Sequence, residues 1–145
     1  MADITYLNGG EMPNFSASSN EKLNAAHPEL QRLFTEVVKH FDCTVVCGFR
    51  GKAEQDMAVA GGNSKTPWPT SKHNKQPSLA VDVMPYPVDW SGSKESIERV
   101  TLFAGFVLGV ASQLGIKIKW GHDWNSDTVP DSKGFVDRPH YELIL

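Results

Sequence analysis

The sequence is poor in cysteine and has no basic run, no leader-like N-terminus and no long apolar stretch. Each shortage removes a class of protein. Only two cysteines occur among 145 residues. They stand in Cys43-Thr44-Val45-Val46-Cys47, within a β-branched and apolar run from Cys43 to Phe49 that reads as a strand. On a strand they share a face but lie about 13 Å apart at ~3.3 Å per residue, further than the ~7 Å between Cα atoms that a disulfide tolerates. Both are read as reduced. As a zinc pair they lack nearby partners, so buried structural thiols are expected. The formal net charge of -3 argues against a nucleic-acid partner, which leaves a basic footprint, and against an anionic membrane surface. Met1-Ala2-Asp3-Ile4-Thr5-Tyr6 lacks the charged and apolar regions of a signal peptide. The most apolar run, Thr101 to Val110, falls short of the ~20 residues that span a bilayer. No membrane insertion is expected, and the chain is expected to stay in the cytosol unless another protein releases it. There is no Gly-x-Ser-x-Gly elbow, which counts against a serine hydrolase. No repeat, linker or low-complexity segment appears.

What is present suits one domain over residues 1–145, with 40% hydrophobic residues to build a real core. Residues 1–20, with Gly9-Gly10, Pro13 and a Ser/Asn cluster, read as an arm or loops. Leu30, Leu33, Phe34, Val37, Val38 and Phe41 recur at helical spacing after Pro28. His27 and His40 flank that helix as capping or surface residues. A short helix is expected over residues 53–60, stopped by Gly61-Gly62. The longest starts at Ser93, carries Ile97, Val100, Phe103, Val107, Val110 and Leu114 on one stripe, and stops at Gly115. Residues 116–120 and 139–145 read as strands. The chain is therefore α+β.

The stretch from Ser71 to Pro85 carries the chemistry. In Leu79-Ala80-Val81-Asp82-Val83-Met84 alternate side chains share a face. Leu79, Val81 and Val83 form a core face, and Asp82 stands mid-strand on the other. A carboxylate there is costly unless paired. A salt bridge or backbone donors would serve. So would a metal ion, with His73 in the preceding polar loop as a second ligand. At the far end, Asp137-Arg138-Pro139-His140 puts another histidine at a strand start, with an acid three residues earlier. Two histidines and an aspartate make a three-ligand zinc site that leaves one position for water.

Ser71-x-His73, Ala80-x-Asp82-x-x-Pro85, Trp120-Gly121-x-Asp123-Trp124 and Asp137-x-x-His140, in that order from Val45 to the C-terminus, resemble the LAS metallopeptidases. These include VanY-type D,D-carboxypeptidases and phage L-alanyl-D-glutamate endopeptidases. The resemblance implies a small antiparallel sheet with helices packed on it, and zinc-dependent cleavage of bacterial peptidoglycan by an endolysin. Such a protein is expected to be a monomer that waits in the host cytoplasm until a membrane pore releases it to the wall. The L-Ala–D-Glu bond is the expected target; D-Ala-D-Ala carboxypeptidase activity, a non-catalytic zinc-bearing module and a structural phage protein are the alternatives. The implied ligands are His73, Asp82 and His140. Asp137 is the implied general base, with Asp123 and Glu142 next in line. Arg50, after the first core strand, is expected to bind substrate or stabilise an oxyanion. Ser71, Gln55 and His122 are expected at the substrate, His122 alternatively as a ligand where the family usually carries glycine. Trp68 either stacks on substrate or plugs the core. Eight residues separate His73 from Asp82, more than the family pattern carries, so the excess around Gln76-Pro77 has to bulge outward.

Overall fold

The computed structural model describes residues 13–145. Among them the elements run α1 (Ala17–Asn24), α2 (Pro28–Val38), β1 (Cys43–Cys47), α3 (Lys52–Ala60), a 3-10 turn (Lys72–Asn74), β2 (Ala80–Pro85), α4 (Lys94–Leu114), β3 (Ile118–Trp120) and β4 (His140–Leu143). The strands form one antiparallel sheet in the order β1-β2-β4-β3. The expected α+β class with a small antiparallel sheet is what forms.

Local chemistry accounts for the helix ends. Pro28 opens α2 and the His27 ring accepts from the Glu29 N–H at 3.1 Å, so His27 is a cap. His40 pairs with Glu36 at 3.1 Å. Ser93 caps α4 and Gly115, at φ 72°, closes it in the left-handed region, where glycine carries no Cβ penalty.

Val45, Val81, Val83, Tyr141 and Leu143 form the inner face of the sheet, against Leu30, Leu33, Phe34 and Val37 of α2 and Phe103 and Val107 of α4. Tyr141 sits edge-on to Phe34, with ring centroids 5.5 Å apart. The α4 stripe is turned slightly from expectation. Ala104 and Ala111 are buried while Val110 and Leu114 are half-buried, because the small side chains let α4 approach closely. At 21 residues α4 is, by length and composition, long and apolar enough to cross a bilayer. That corrects the length argument drawn from residues 101–110, but its inward stripe is occupied by the core.

The expected arm over residues 1–20 falls largely outside the described residues, and from Ala17 the chain is helical. This helix buries only Ser19 and Leu23, so no apolar stripe announced it. It lies across the edge of β1. The Ser19 hydroxyl accepts from the Val45 N–H at 3.1 Å, and a Cβ on Gly48 would strike the Lys22 carbonyl. A sheet edge is thereby covered.

Candidate active site

The sheet brings two of the predicted residues together by register alone. Asp82 of β2 and His140 of β4 are directly paired across the strands, so their side chains share a face. His73 arrives from the 3-10 turn. Ser71 caps that turn, its hydroxyl accepting from the His73 N–H at 3.2 Å, while the Ser71 N–H donates to the Asn74 side chain at 3.1 Å. Gln76 and Pro77 are exposed and Ser78 is buried. The long gap is thus absorbed outside, and the Leu79 N–H closes the loop on the Lys72 carbonyl at 3.0 Å.

Three donor atoms converge. His73 Nε2 lies 3.2 Å from Asp82 Oδ1 and 3.2 Å from His140 Nδ1; His140 Nδ1 lies 3.3 Å from Asp82 Oδ1. A tetrahedral shell with bonds of ~2.0–2.1 Å places its donors about 3.3 Å apart, so the triangle has the dimensions of a zinc site. The tautomers agree. His73 Nδ1 donates to the Gly48 carbonyl at 2.8 Å, and His140 Nε2 donates to Glu142 at 2.9 Å. Both remaining nitrogens therefore turn lone pairs inward, as ligating imidazoles must. Burial opposes a charged ring at each histidine. The charge and hydrogen bond of Asp82 outweigh it, pushing His73 up to about 10 and His140 to about 9. Asp82 is itself opposed by burial yet held below the carboxylate range by the two rings. A divalent cation would displace those protons on binding.

Asp137 stands just outside the triangle, with Oδ2 3.8 Å from His140 Nδ1. Burial first, then the Asp82 charge, pushes its carboxyl up to about 6. The Trp120-Gly121-x-Asp123-Trp124 block sets its position. The Trp120 indole donates to the Arg138 carbonyl and the Trp124 indole to the Phe135 carbonyl, both at 2.7 Å. Gly121 exchanges backbone bonds with Asp137 and His140. A Cβ there would run into the Asp137 carbonyl and meet the His140 Cβ at 3.0 Å. The Asp123 carboxylate accepts from the Asp127 and Thr128 N–H groups and that of Glu142 pairs with His140, so both are already engaged.

Arg50 reaches Asp82 Oδ2 at 3.6 Å and lines the cleft above the triangle. Ser71 lines it too, although its hydroxyl is engaged with the His73 turn. Two expectations are corrected. Gln55 does not face the cleft. It is fully buried, accepts from Arg50 at 3.0 Å and Asn74 at 3.1 Å, and donates to Ser64 and Thr66. Gln55→Ala should therefore keep metal but lower turnover about tenfold as Arg50 loses its brace, and cost ~1–3 kcal/mol through stranded donors; metal analysis, kinetics and a melt check all three. His122 is placed away from the triangle. Its Nε2 donates to the Asp131 carbonyl at 3.0 Å and its ring packs on Trp120. Trp68 is half-buried and lies in neither the core cluster nor the cleft lining.

Cys43 and Cys47 are both free thiols. Cys43 is buried, and burial pushes its thiol up to about 12, with help from Asp42. Cys47 is not the buried structural thiol expected, being half-buried. A bulge between Val45 and Cys47 shifts the register and pairs Cys47 with Asp82. Its sulfur lies 3.8 Å from His73 Nδ1 and 3.7 Å from Arg50. Its sulfur, a His73 ring nitrogen and an Asp82 carboxylate oxygen lie within 4.8 Å of one another, so Cys47 borders the donor triangle as a further possible ligand. Glu142 as partner of His140 was readable in principle, since residues i and i+2 of a strand share a face.

Known proteins resemble this chain along most of its length. A family described as phage L-alanyl-D-glutamate peptidase matches residues 12–144. The L-alanyl-D-glutamate peptidase of Escherichia phage T5 is 30% identical over 140 residues, covering 90% of this chain and 97% of that protein. The crystal structure of the Serratia marcescens L-Ala D-Glu endopeptidase ChiX superposes with a TM-score of 0.67 at 28% identity, covering 91% of both chains. With a family match over nearly the whole chain and a relative 30% identical along its length, the chain belongs to the phage L-alanyl-D-glutamate peptidase family.

Proposed function

We propose that this protein is a zinc peptidase that hydrolyses the L-Ala–D-Glu bond of peptidoglycan stem peptides, acting as an endolysin. The observation that carries it is the triangle of His73, Asp82 and His140 with Asp137 beside it. Two imidazoles and one carboxylate in a tetrahedral-sized shell suit zinc. Zinc held there would supply Lewis acidity, polarising the scissile carbonyl and acidifying a water. The chain supplies the rest. Asp137 accepts the water proton at its carboxylate and passes it to the departing amine. The Arg50 guanidinium, braced by Gln55, faces the developing oxyanion. The His73 and His140 rings are locked by Gly48 and Glu142, so no reorganisation precedes the reaction.

The shape of the cleft favours an internal bond. A cavity of about 320 Å³ lined by His73 and His140 and another of about 470 Å³ lined by Asp82 share Arg50, Asn63, Phe135 and Asp137. Substrate can continue past the reacting bond in both directions, whereas a carboxypeptidase needs an end wall. The protein would act on the wall as a monomer, after a membrane pore frees it from the host cytoplasm.

Digestion of purified peptidoglycan, read by mass spectrometry, tests this. New amino groups on D-Glu, with glycan strands intact, are expected. Release of free D-Ala without an internal cut would instead indicate a carboxypeptidase, and new reducing sugar ends would exclude a peptidase.

A further inference from the structure

The two halves of the cleft differ in chemistry, and the difference carries a direction. In one part of the cleft the wall presents Lys65 and Lys72 with Ser71 and Thr66, alongside the Glu142 carboxylate, which pairs with His140 and feels the Lys72 charge. Both lysines are exposed. Among the described residues neither forms an ion pair with a carboxylate. The Lys65 ammonium sits 5.8 Å over the Phe135 ring, which keeps it at the cleft. In the other part the wall presents Ala58, Val136 and Trp90. Trp90 is 64% exposed, yet its loop is tied down. The Ser91 N–H donates to the Asp89 carboxylate at 2.8 Å, and the Ser96 hydroxyl to the Asp89 carbonyl at 2.9 Å. An indole held in water by a fastened loop beside an active cleft is a platform waiting for an apolar face.

A stem peptide is asymmetric in the same sense. On the D-Glu side of the scissile amide it carries carboxylates, on D-Glu itself and on the residue that follows. On the L-Ala side it carries a pyranose ring whose C–H face packs on indole. Resting on the peptidase reading above, we propose that the substrate lies across the triangle in one direction, its acidic arm over Lys65 and Lys72 and its sugar-bearing L-Ala end against Trp90.

The test uses zinc-loaded full-length protein and four synthetic tripeptides built on L-Ala-γ-D-Glu-L-Lys. One carries N-acetylmuramic acid on L-Ala, one is free of sugar, one has D-isoglutamine in place of D-Glu, and one has a C-terminal amide. K65A/K72A should lose about tenfold in kcat/KM on peptides that keep the carboxylate it reads and under twofold on the one that lacks it. Whether isoglutamine or the terminal amide abolishes that loss identifies which carboxylate is held. Trp90→Ala should lose about tenfold on the muramyl peptide alone. All of these side chains are exposed or half-exposed, and zinc content and melting temperature confirm that each variant is folded. Equal losses on all four peptides, or losses crossed between sugar and acid, overturn the direction. If the unmodified protein cuts none of them, the peptidase reading itself falls, and the direction with it.

Discussion

His140→Ala should arrive without zinc, inactive to background, and with a lower melting temperature. Its ring closes the triangle at 3.2 and 3.3 Å, and its removal strands the buried Asp82 and the half-buried Glu142. Asp82 loses one of the rings that hold its charge, and Glu142 loses its 2.9 Å donor. Breaking a buried charge arrangement from one side costs about 3–5 kcal/mol, to which the lost metal-binding energy adds. Elemental analysis and a thermal melt, each with and without chelator, measure the two parts. His73→Ala should behave alike. His122→Ala should keep its zinc, because the His122 ring is bonded to Asp131. If His122→Ala empties the site while His73→Ala does not, the ligand set is wrong.

Asp137→Ala should differ in kind. It should keep zinc and most of its stability, since the side chain lies outside the triangle, and lose about 10²–10⁴-fold in turnover, the usual contribution of a positioned acid–base group. The pH profile checks the same role. A base must be unprotonated, so activity should fall as pH drops through the Asp137 pKa. Burial and Asp82 place that pKa near 6, and bound zinc would move the limb to lower pH. The limb should vanish in Asp137→Asn. A metal-free Asp137→Ala protein would make the residue a ligand or an orienting group, and a fully active one would place the base elsewhere.

The strands and long helices were legible because each buries one face. The alternation around Asp82 and the stripe after Pro28 are direct images of the core. The grouping of His73, Asp82 and His140 was legible because a mid-strand aspartate needs a partner and two histidines stood at strand or turn entries in blocks that resemble a known family, although a salt bridge alone would have served Asp82. What stayed hidden was hidden for physical reasons. α1 contributes little apolar surface, so nothing periodic marks it. Gln55 reads as an exposed polar residue on a short helix, and only its four partners, drawn from three separate segments, reveal that it is buried. Cys47 reads as a core thiol because a bulge leaves no trace in a β-branched run. His122 stands next to Asp123 and two residues from Trp120 in a motif-bearing block, yet the turn at Gly121 sends its ring away from the cleft.

The strand order has a kinetic corollary. β4 is inserted between β2 and β3, so β3 has no neighbour in the sheet until β4 arrives, and β4 is the strand that delivers His140. Closing a sheet through contacts so distant along the chain is slow. The last event of sheet closure is also the event that completes the donor triangle. A partly folded chain can therefore possess secondary structure and a formed α2–α4 layer while having no hydrolytic capacity at all. In refolding from denaturant, recovery of turnover should track burial of Tyr141 and Trp120, the β4–β3 pair, and lag behind the appearance of helix.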